Sequence, residues 1–162
     1  MELKEVIIGF VLFAGVILIS GWMVSQICCL QPPTAMEIIP SLLEKAFMLP
    51  GDLFSAGVTF ENGDFLSAAS LASRIERPAS QICVLAENSM VEKFSSVDPL
   101  IYAENNKLNA GAVAYCENYS GRPNAAFTPP KILEGLDFSK CSQPMRCVVA
   151  IMPESSLPDK KA

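Results

Sequence analysis

The hydropathy pattern divides the chain into two unlike parts. From Val6 to Val24, fifteen of nineteen residues are apolar and the other four are Gly9, Gly15, Ser20 and Gly21. A helix rising about 1.5 Å per residue covers roughly 28 Å over that run, close to the hydrocarbon thickness of a bilayer. Twelve of the residues are Val, Ile, Leu or Phe, and at about −0.3 to −0.6 kcal/mol each they favour insertion by roughly −4 to −7 kcal/mol. The pattern predicts a single transmembrane helix in contact with the lipid bilayer through residues 6–30, stopped by Leu30-Gln31-Pro32-Pro33 because proline cannot donate to the helix ladder. Its three glycines point to three different sides of such a helix, which leaves only Gly21 and Ser25 as a small-residue pair for helix contact.

Beyond the prolines the pattern shortens to the scale of a globular domain. Ser41-Leu42-Leu43-Glu44 has the capping-box arrangement, and Leu42, Leu43, Ala46 and Phe47 recur at helical spacing before Pro50-Gly51, which predicts a short amphipathic helix after a stiff spacer. Gly57 to Glu61 reads as a strand and Asn62-Gly63 as a tight turn. Asp64 stands where it caps a helix with apolar residues at Ala68, Leu71, Ala72 and Ile75, closed by Arg77-Pro78. Gln81 to Ala86 is apolar at consecutive positions and reads as a central strand covered on both faces. A short helix over Ser89 to Ser96, strands at Leu100 to Ala103 and Ala110 to Cys116, a proline-containing loop over 121–130, a helical turn at Lys131 to Leu136 and a last buried strand at Arg146 to Met152 complete the reading. The expected organisation is a membrane anchor with a short cytoplasmic head (1–30), a spacer and short helix (31–52), a small α/β or α+β extracytoplasmic domain (53–152) and a disordered tail (153–162).

Charge sets the direction of insertion and narrows the partners. Lys4 is the only side-chain cation before the apolar run and none follows until Lys45, so the positive-inside bias places the N-terminus in the cytoplasm and the C-terminal domain outside the cell membrane. A cleaved secretory signal is the competing reading, but Gly21 to Cys28 contains no small-x-small cleavage site. A lipidated Cys28 is disfavoured because Ile27 is not the small residue that such processing needs. Residues 31–162 carry eleven Lys or Arg against fifteen Asp or Glu, a net charge of −4, which excludes nucleic acid and anionic lipid head groups as natural partners. The chain has no histidine. Ser-His and Cys-His nucleophile systems are thereby removed, together with the commonest zinc ligand.

Cys83, Cys116, Cys141 and Cys147 fall on the external side, and an even number of cysteines in an oxidising compartment points to two disulfides. Four cysteines allow three pairings; the short Ser-Gln-Pro-Met-Arg turn between Cys141 and Cys147 favours joining those two, with Cys83 to Cys116 as neighbours in strands. No Cys-x-x-Cys pair occurs, so redox exchange and a four-thiolate zinc site have no motif behind them. Cys28 and Cys29, at the membrane interface, are placed for acylation or for a bond to another subunit. Asn118-Tyr119-Ser120 matches the N-glycosylation acceptor pattern.

Without histidine the remaining nucleophile arrangement is a Ser-Lys pair, and Ser89-Met90 with Lys93 invites comparison with membrane-bound signal peptidases. The proline that follows Ser-Met in that family is missing, and Ser89 reads more simply as a helix cap. Glu5 ahead of an unbroken apolar helix, with an external domain behind it, looks like the assembly helix of mature type IV pilins, although the short basic leader with its cleavage point is absent. That resemblance covers about thirty residues and implies a filament subunit. The expected function is a membrane-anchored extracytoplasmic binding or assembly component without catalysis, cofactor or metal, with a protein partner or self-association through the outer domain. A pilin-like filament subunit and a Ser/Lys hydrolase are the alternatives.

Overall fold

The computed structural model describes residues 34–96, 99–118, 126–142 and 144–158. The predicted membrane segment, with Cys28 and Cys29, lies outside the described residues, and among those that are described no helix is long and apolar enough to cross a membrane.

The first described element is helix α1, Ala35–Met48, capped by Thr34 in extended backbone and carrying Glu37 in its first turn and Lys45 in its last. Those two charges complement the helix dipole. Ala35, Ile39, Leu42, Leu43 and Ala46 are buried, one stripe along the helix. The short helix expected within residues 31–52 is longer than its spacing indicates. The helix starts well before Ser41 and belongs to the core of the domain. What hid its first half is Pro40, which lies inside it. A proline at that position removes the N–H that would bind the carbonyl four residues back, on Met36. That carbonyl is instead bonded by the Arg74 guanidinium, whose Nη1 donates to Met36 O at 2.7 Å.

Strand β1, Leu53–Phe60, follows. The turn predicted at Asn62-Gly63 is present, with Gly63 at φ +87°, a region that glycine enters without steric cost. Asp64 does not cap a helix. Its Oδ2 accepts the Glu61 N–H at 2.8 Å and closes this turn. After the short strand β2, Phe65–Leu66, helix α2 covers Ala68–Ile75 and is capped by Ser67, whose hydroxyl accepts the Ser70 N–H while the Ser70 hydroxyl accepts the Ser67 N–H, each at 3.0 Å. Leu71 and Ala72 are buried, with Ala68 and Ile75 packed beside them, as the spacing predicts.

Strand β3, Ile82–Ala86, leads to a single helical turn, α3, Asn88–Val91, then β4, Leu100–Ile101, and β5, Leu108–Cys116. Met90 and Phe94 are buried, and the helical turn ends before Phe94. Phe94 meets Phe60 edge-on at 5.3 Å and Tyr102 at 6.0 Å, which seals this corner of the core. Strand β6, Cys147–Met152, comes last and is buried at every position.

Strands β1, β5, β6 and β3 form one sheet in that order, with β1–β5 and β5–β6 antiparallel and β3–β6 parallel; β2 and β4 make a separate two-stranded pair. The domain is thus a small α+β fold with a mixed sheet. Strand β3 is an edge strand and not a central one. Its consecutive apolar residues are explained by cover on both faces, since Ile82, Val84 and Ala86 join the helix-side core while Cys83 and Leu85 join the opposite one.

Among the described residues that opposite layer contains no α-helix. It is built from the 3-10 turns Lys131–Leu133 and Phe138–Lys140, with Leu133 and Met145 buried and Phe127, Phe138 and Leu157 packed alongside. Leu157 corrects the expectation of a disordered tail from Pro153 onward. A 3-10 turn at Glu154–Ser156 folds the chain back, and residues 159–162 lie outside the described residues. The tail is received by Gly57 and Gly111, which face each other across β1 and β5; a Cβ on Gly111 would stand 2.6 Å from a Leu157 methyl, and one on Gly57 2.9 Å from the Glu154 carboxylate.

The Arg74 to Met36 bond yields a prediction. Arg74→Ala should lower stability by about 1 kcal/mol, as loss of a hydrogen bond to a carbonyl that Pro40 has no N–H to serve. The loss should shrink markedly in a Pro40→Ala background, where residue 40 regains the N–H that binds Met36. Denaturant melts of the four members of this cycle measure it, and equal losses in both backgrounds would contradict the pairing.

Candidate functional site

The backbone of β3 is paired on one side only. Its ladder with β6 runs from Ile82 opposite Cys147 to Ala86 opposite Ile151. The flanking bonds give the phase: Arg146 N–H donates to Gln81 O at 3.0 Å, and Glu87 N–H to Ile151 O at 2.8 Å. Backbone groups of alternate residues in a strand point to the same side. Residues 81, 83, 85 and 87 therefore face β6, and Ile82, Val84 and Ala86 turn their backbone groups outward. Ile82 N–H is taken up by Ala79 O. Val84 N–H and C=O meet no partner among the described residues.

A cavity of about 410 Å³ runs along this edge. Ser67, Ala68 and Ala69 from the start of α2 form one wall, and Lys140, Cys141 and Ser142 the other; Ile82 to Leu85 lie between them, with Ala79 and Ser80 beside. Because residues from both faces of β3 line it, the hollow follows the strand's edge and not one face of the sheet. The α2 wall is made of small residues, so the edge is reachable. Among the described residues Lys140 is the only ionisable side chain in the lining.

The second wall has its own local support. Asp137 accepts the Ser139 N–H at 3.1 Å and also the Ser139 hydroxyl, which caps the turn Phe138–Lys140. The Ser139 hydroxyl first, then its N–H, and the Lys140 charge hold the Asp137 carboxyl below the usual aspartate range. A group with a lowered folded-state pKa stabilises the fold above its unfolded value and loses that contribution as pH falls through the lowered one. The cap therefore stays intact at any pH above the ordinary aspartate range. Phe138 packs on Phe127 at 5.6 Å, and Phe127 on Tyr115 at 6.0 Å, which ties the turn to β5.

Cys141 fixes the wall to the strand. Two cysteine pairs stand at disulfide distance, Cys83 with Cys141 (Cα–Cα 5.5 Å) and Cys116 with Cys147 (4.1 Å). This corrects the expected pairing of Cys83 with Cys116 and of Cys141 with Cys147. Cys116 and Cys147 face each other directly in the β5–β6 register, in the pair next to the Glu117 to Arg146 hydrogen bond, where side chains approach most closely. Their bond lies on the helix side of the sheet. Cys83 points to the opposite side, where Cys141 arrives with the irregular layer.

The other residues singled out in the sequence do not gather here. Ser89 is inside the helical turn and not its cap, which is Glu87; its hydroxyl donates to Glu87 Oε1 at 3.3 Å, and both Ser89 and Lys93 are exposed. Asn118 is exposed and borders a smaller hollow of about 240 Å³ beside Phe47, Pro50 and the Cys116–Cys147 pair; Tyr119 and Ser120 lie outside the described residues. Among the described residues no group of three or more His, Cys, Asp or Glu side chains is arranged to hold a metal ion. The groove itself went unnoticed in the sequence, since it rests on main-chain groups that every residue carries, with Lys140 reading as an ordinary surface lysine.

Two predictions follow from the placement of these side chains. With sequence separations of 58 for Cys83–Cys141 and 31 for Cys116–Cys147, loop entropy assigns the two bonds about 4.2 and about 3.7 kcal/mol, too similar to decide which is reduced first. Access decides it. Cys116 and Cys147 are 2 % and 0 % exposed, whereas Cys141 is partly exposed, so stepwise reduction with alkylation and peptide mapping should label Cys83 and Cys141 before the other pair. Ser89→Ala should change stability by less than about 0.5 kcal/mol, the range for surface substitutions that remove no cap, and a serine-directed covalent probe should leave no adduct on Ser89.

Against models of known protein families, against curated proteins and against solved structures, the chain has no match.

Proposed function

We propose that the protein is a single-pass, membrane-anchored extracytoplasmic component that binds or assembles with another protein and performs no catalysis. The observation that carries this reading is the groove along the unpaired edge of β3, which offers main-chain donors and acceptors in a walled recess. Two further features support it. Cysteine pairs at disulfide distance suit an oxidising compartment, and the apolar run Val6 to Val24 has the length and composition of a membrane anchor. The acidic outer part argues against a nucleic-acid or anionic-lipid partner.

The reading makes a topological prediction. In intact cells treated briefly with a mild reductant, an impermeant thiol reagent should label Cys141, and added protease should remove the outer domain while sparing the anchor. Labelling that appears only after the membrane is opened would reverse the orientation. A mature N-terminus between residues 20 and 40 would show that the chain is cleaved and released instead of anchored.

A further inference from the structure

We infer that the outer edge of β3 is a strand-addition site, and that its occupant is an extended segment of a partner protein carrying an acidic side chain opposite Lys140. This rests on the binding role proposed above and names the site and the chemistry of the partner.

The edge specifies an extended chain before any side chain is considered. Val84 offers one N–H and one C=O that meet no partner among the described residues, and the alternation places the Ile82 C=O and the Ala86 N–H on the same side. These groups repeat every second residue along β3, which matches the backbone of another strand lying about 4.8 Å away. A small molecule has no reason to carry that repeat. A peptide backbone does, and main-chain pairing at a free edge supplies affinity while side-chain contacts supply choice of sequence.

The walls decide what kind of strand enters. On the α2 side the lining is Ser67, Ala68 and Ala69, which leaves room for the partner's own side chains. On the other side Lys140 is exposed and, among the described residues of the lining, is the one ionisable side chain, with the Asp137 carboxylate of its own turn near enough to feel its charge. In a domain whose overall charge is negative, this local cation selects an Asp, a Glu or a terminal carboxylate at the facing position. The walls also disfavour a second copy of this chain. Walls on both sides of the edge narrow the approach of a second β3, and a net charge of −5 per chain opposes it.

The test uses the full chain in lipid nanodiscs, panned against a phage-displayed library of random nine-residue peptides. Enriched peptides should carry an acidic residue at a fixed place in an otherwise alternating sequence. Val84→Pro should weaken them at least tenfold, because proline removes the outward N–H without touching the β3–β6 ladder, the position at which an edge strand tolerates it. Lys140→Glu, at an exposed site, should weaken acidic peptides several-fold and favour basic ones. Independently of either variant, hydrogen exchange on the wild-type protein should show the Val84 amide slowed by a bound peptide. Peptides that bind both variants as well as wild type, or that protect amides elsewhere, would overturn the edge site while leaving a binding role intact. Failure to enrich any peptide would overturn both. A wild-type dimer that Val84→Pro dissociates would overturn the partner assignment in favour of pairing between copies.

Discussion

Strand β6 is buried at all six of its positions, and the need to surround it shapes the domain. A strand with no exposed side chain requires cover on two faces and partners on two edges. Cys147, Val149 and Ile151 meet the helix-side core beneath α1, and Val148, Ala150 and Met152 meet the irregular layer. Strand β5 takes one edge antiparallel and β3 the other in parallel. Val148, Val149, Ile151 and Met152 contribute about 1.5–3 kcal/mol each by leaving water, so the elements that lie on them are held by the largest apolar contribution a single short strand provides here. Helices suit one face because their backbone is satisfied internally. The other face is covered by loops, which have to bond their own polar groups through 3-10 turns and caps such as Asp137.

The two cysteine pairs act on this arrangement from opposite sides of the sheet. Cys116 and Cys147 stand where β5 ends and β6 begins, so their bond closes the long excursion of residues 117–146 at its base. Cys83 and Cys141 then fasten the far part of that excursion to the outer strand. The irregular layer, which lacks a helix to keep its shape, is in this way tied at both ends. For the groove, the consequence is that floor and wall are joined by a bond. The separation between β3 and residues 140–142 does not depend on loop packing alone.

Much of the fold is visible in the chain, and the misses share a cause. Consecutive apolar residues mark β3 and β6, and the spacing of Ala68, Leu71, Ala72 and Ile75 marks α2, because burial on a face is recorded residue by residue. Whether a strand sits at the centre or the edge is not recorded in that way, since an apolar run reports covered faces and says nothing of paired backbone. The first half of α1 is hidden by Pro40, a local breaker overruled by Arg74, a donor supplied from 38 residues further along. The pairing of the cysteines is set by sheet order, so nearness in sequence misleads. Asp64 and Ser67 are both sound caps, and the choice between them depends on where β2 ends. The candidate site is less legible than the fold, because its chemistry belongs to the main chain of Val84 and to an opening that three separate segments create.

The two edges of the sheet are treated differently, and the difference bears on the groove. On β1 the chain entering α1 makes a bridge from Thr34 to Thr59, which occupies part of the outer edge. On β3 the sequence Ile82-Cys83-Val84-Leu85-Ala86 has none of the usual protections of an edge strand: no proline, no charged residue and no bulge. Left open, such a strand is a template for indiscriminate pairing with any other sheet edge. Recession between α2 and the Cys141 wall changes what can reach it. A hollow of about 410 Å³ with residues of α2 on one side and residues 140–142 on the other narrows the approach. The walls that narrow access to this edge are therefore the same features on which the proposed selectivity rests, and the Cys83–Cys141 bond holds one of them in place.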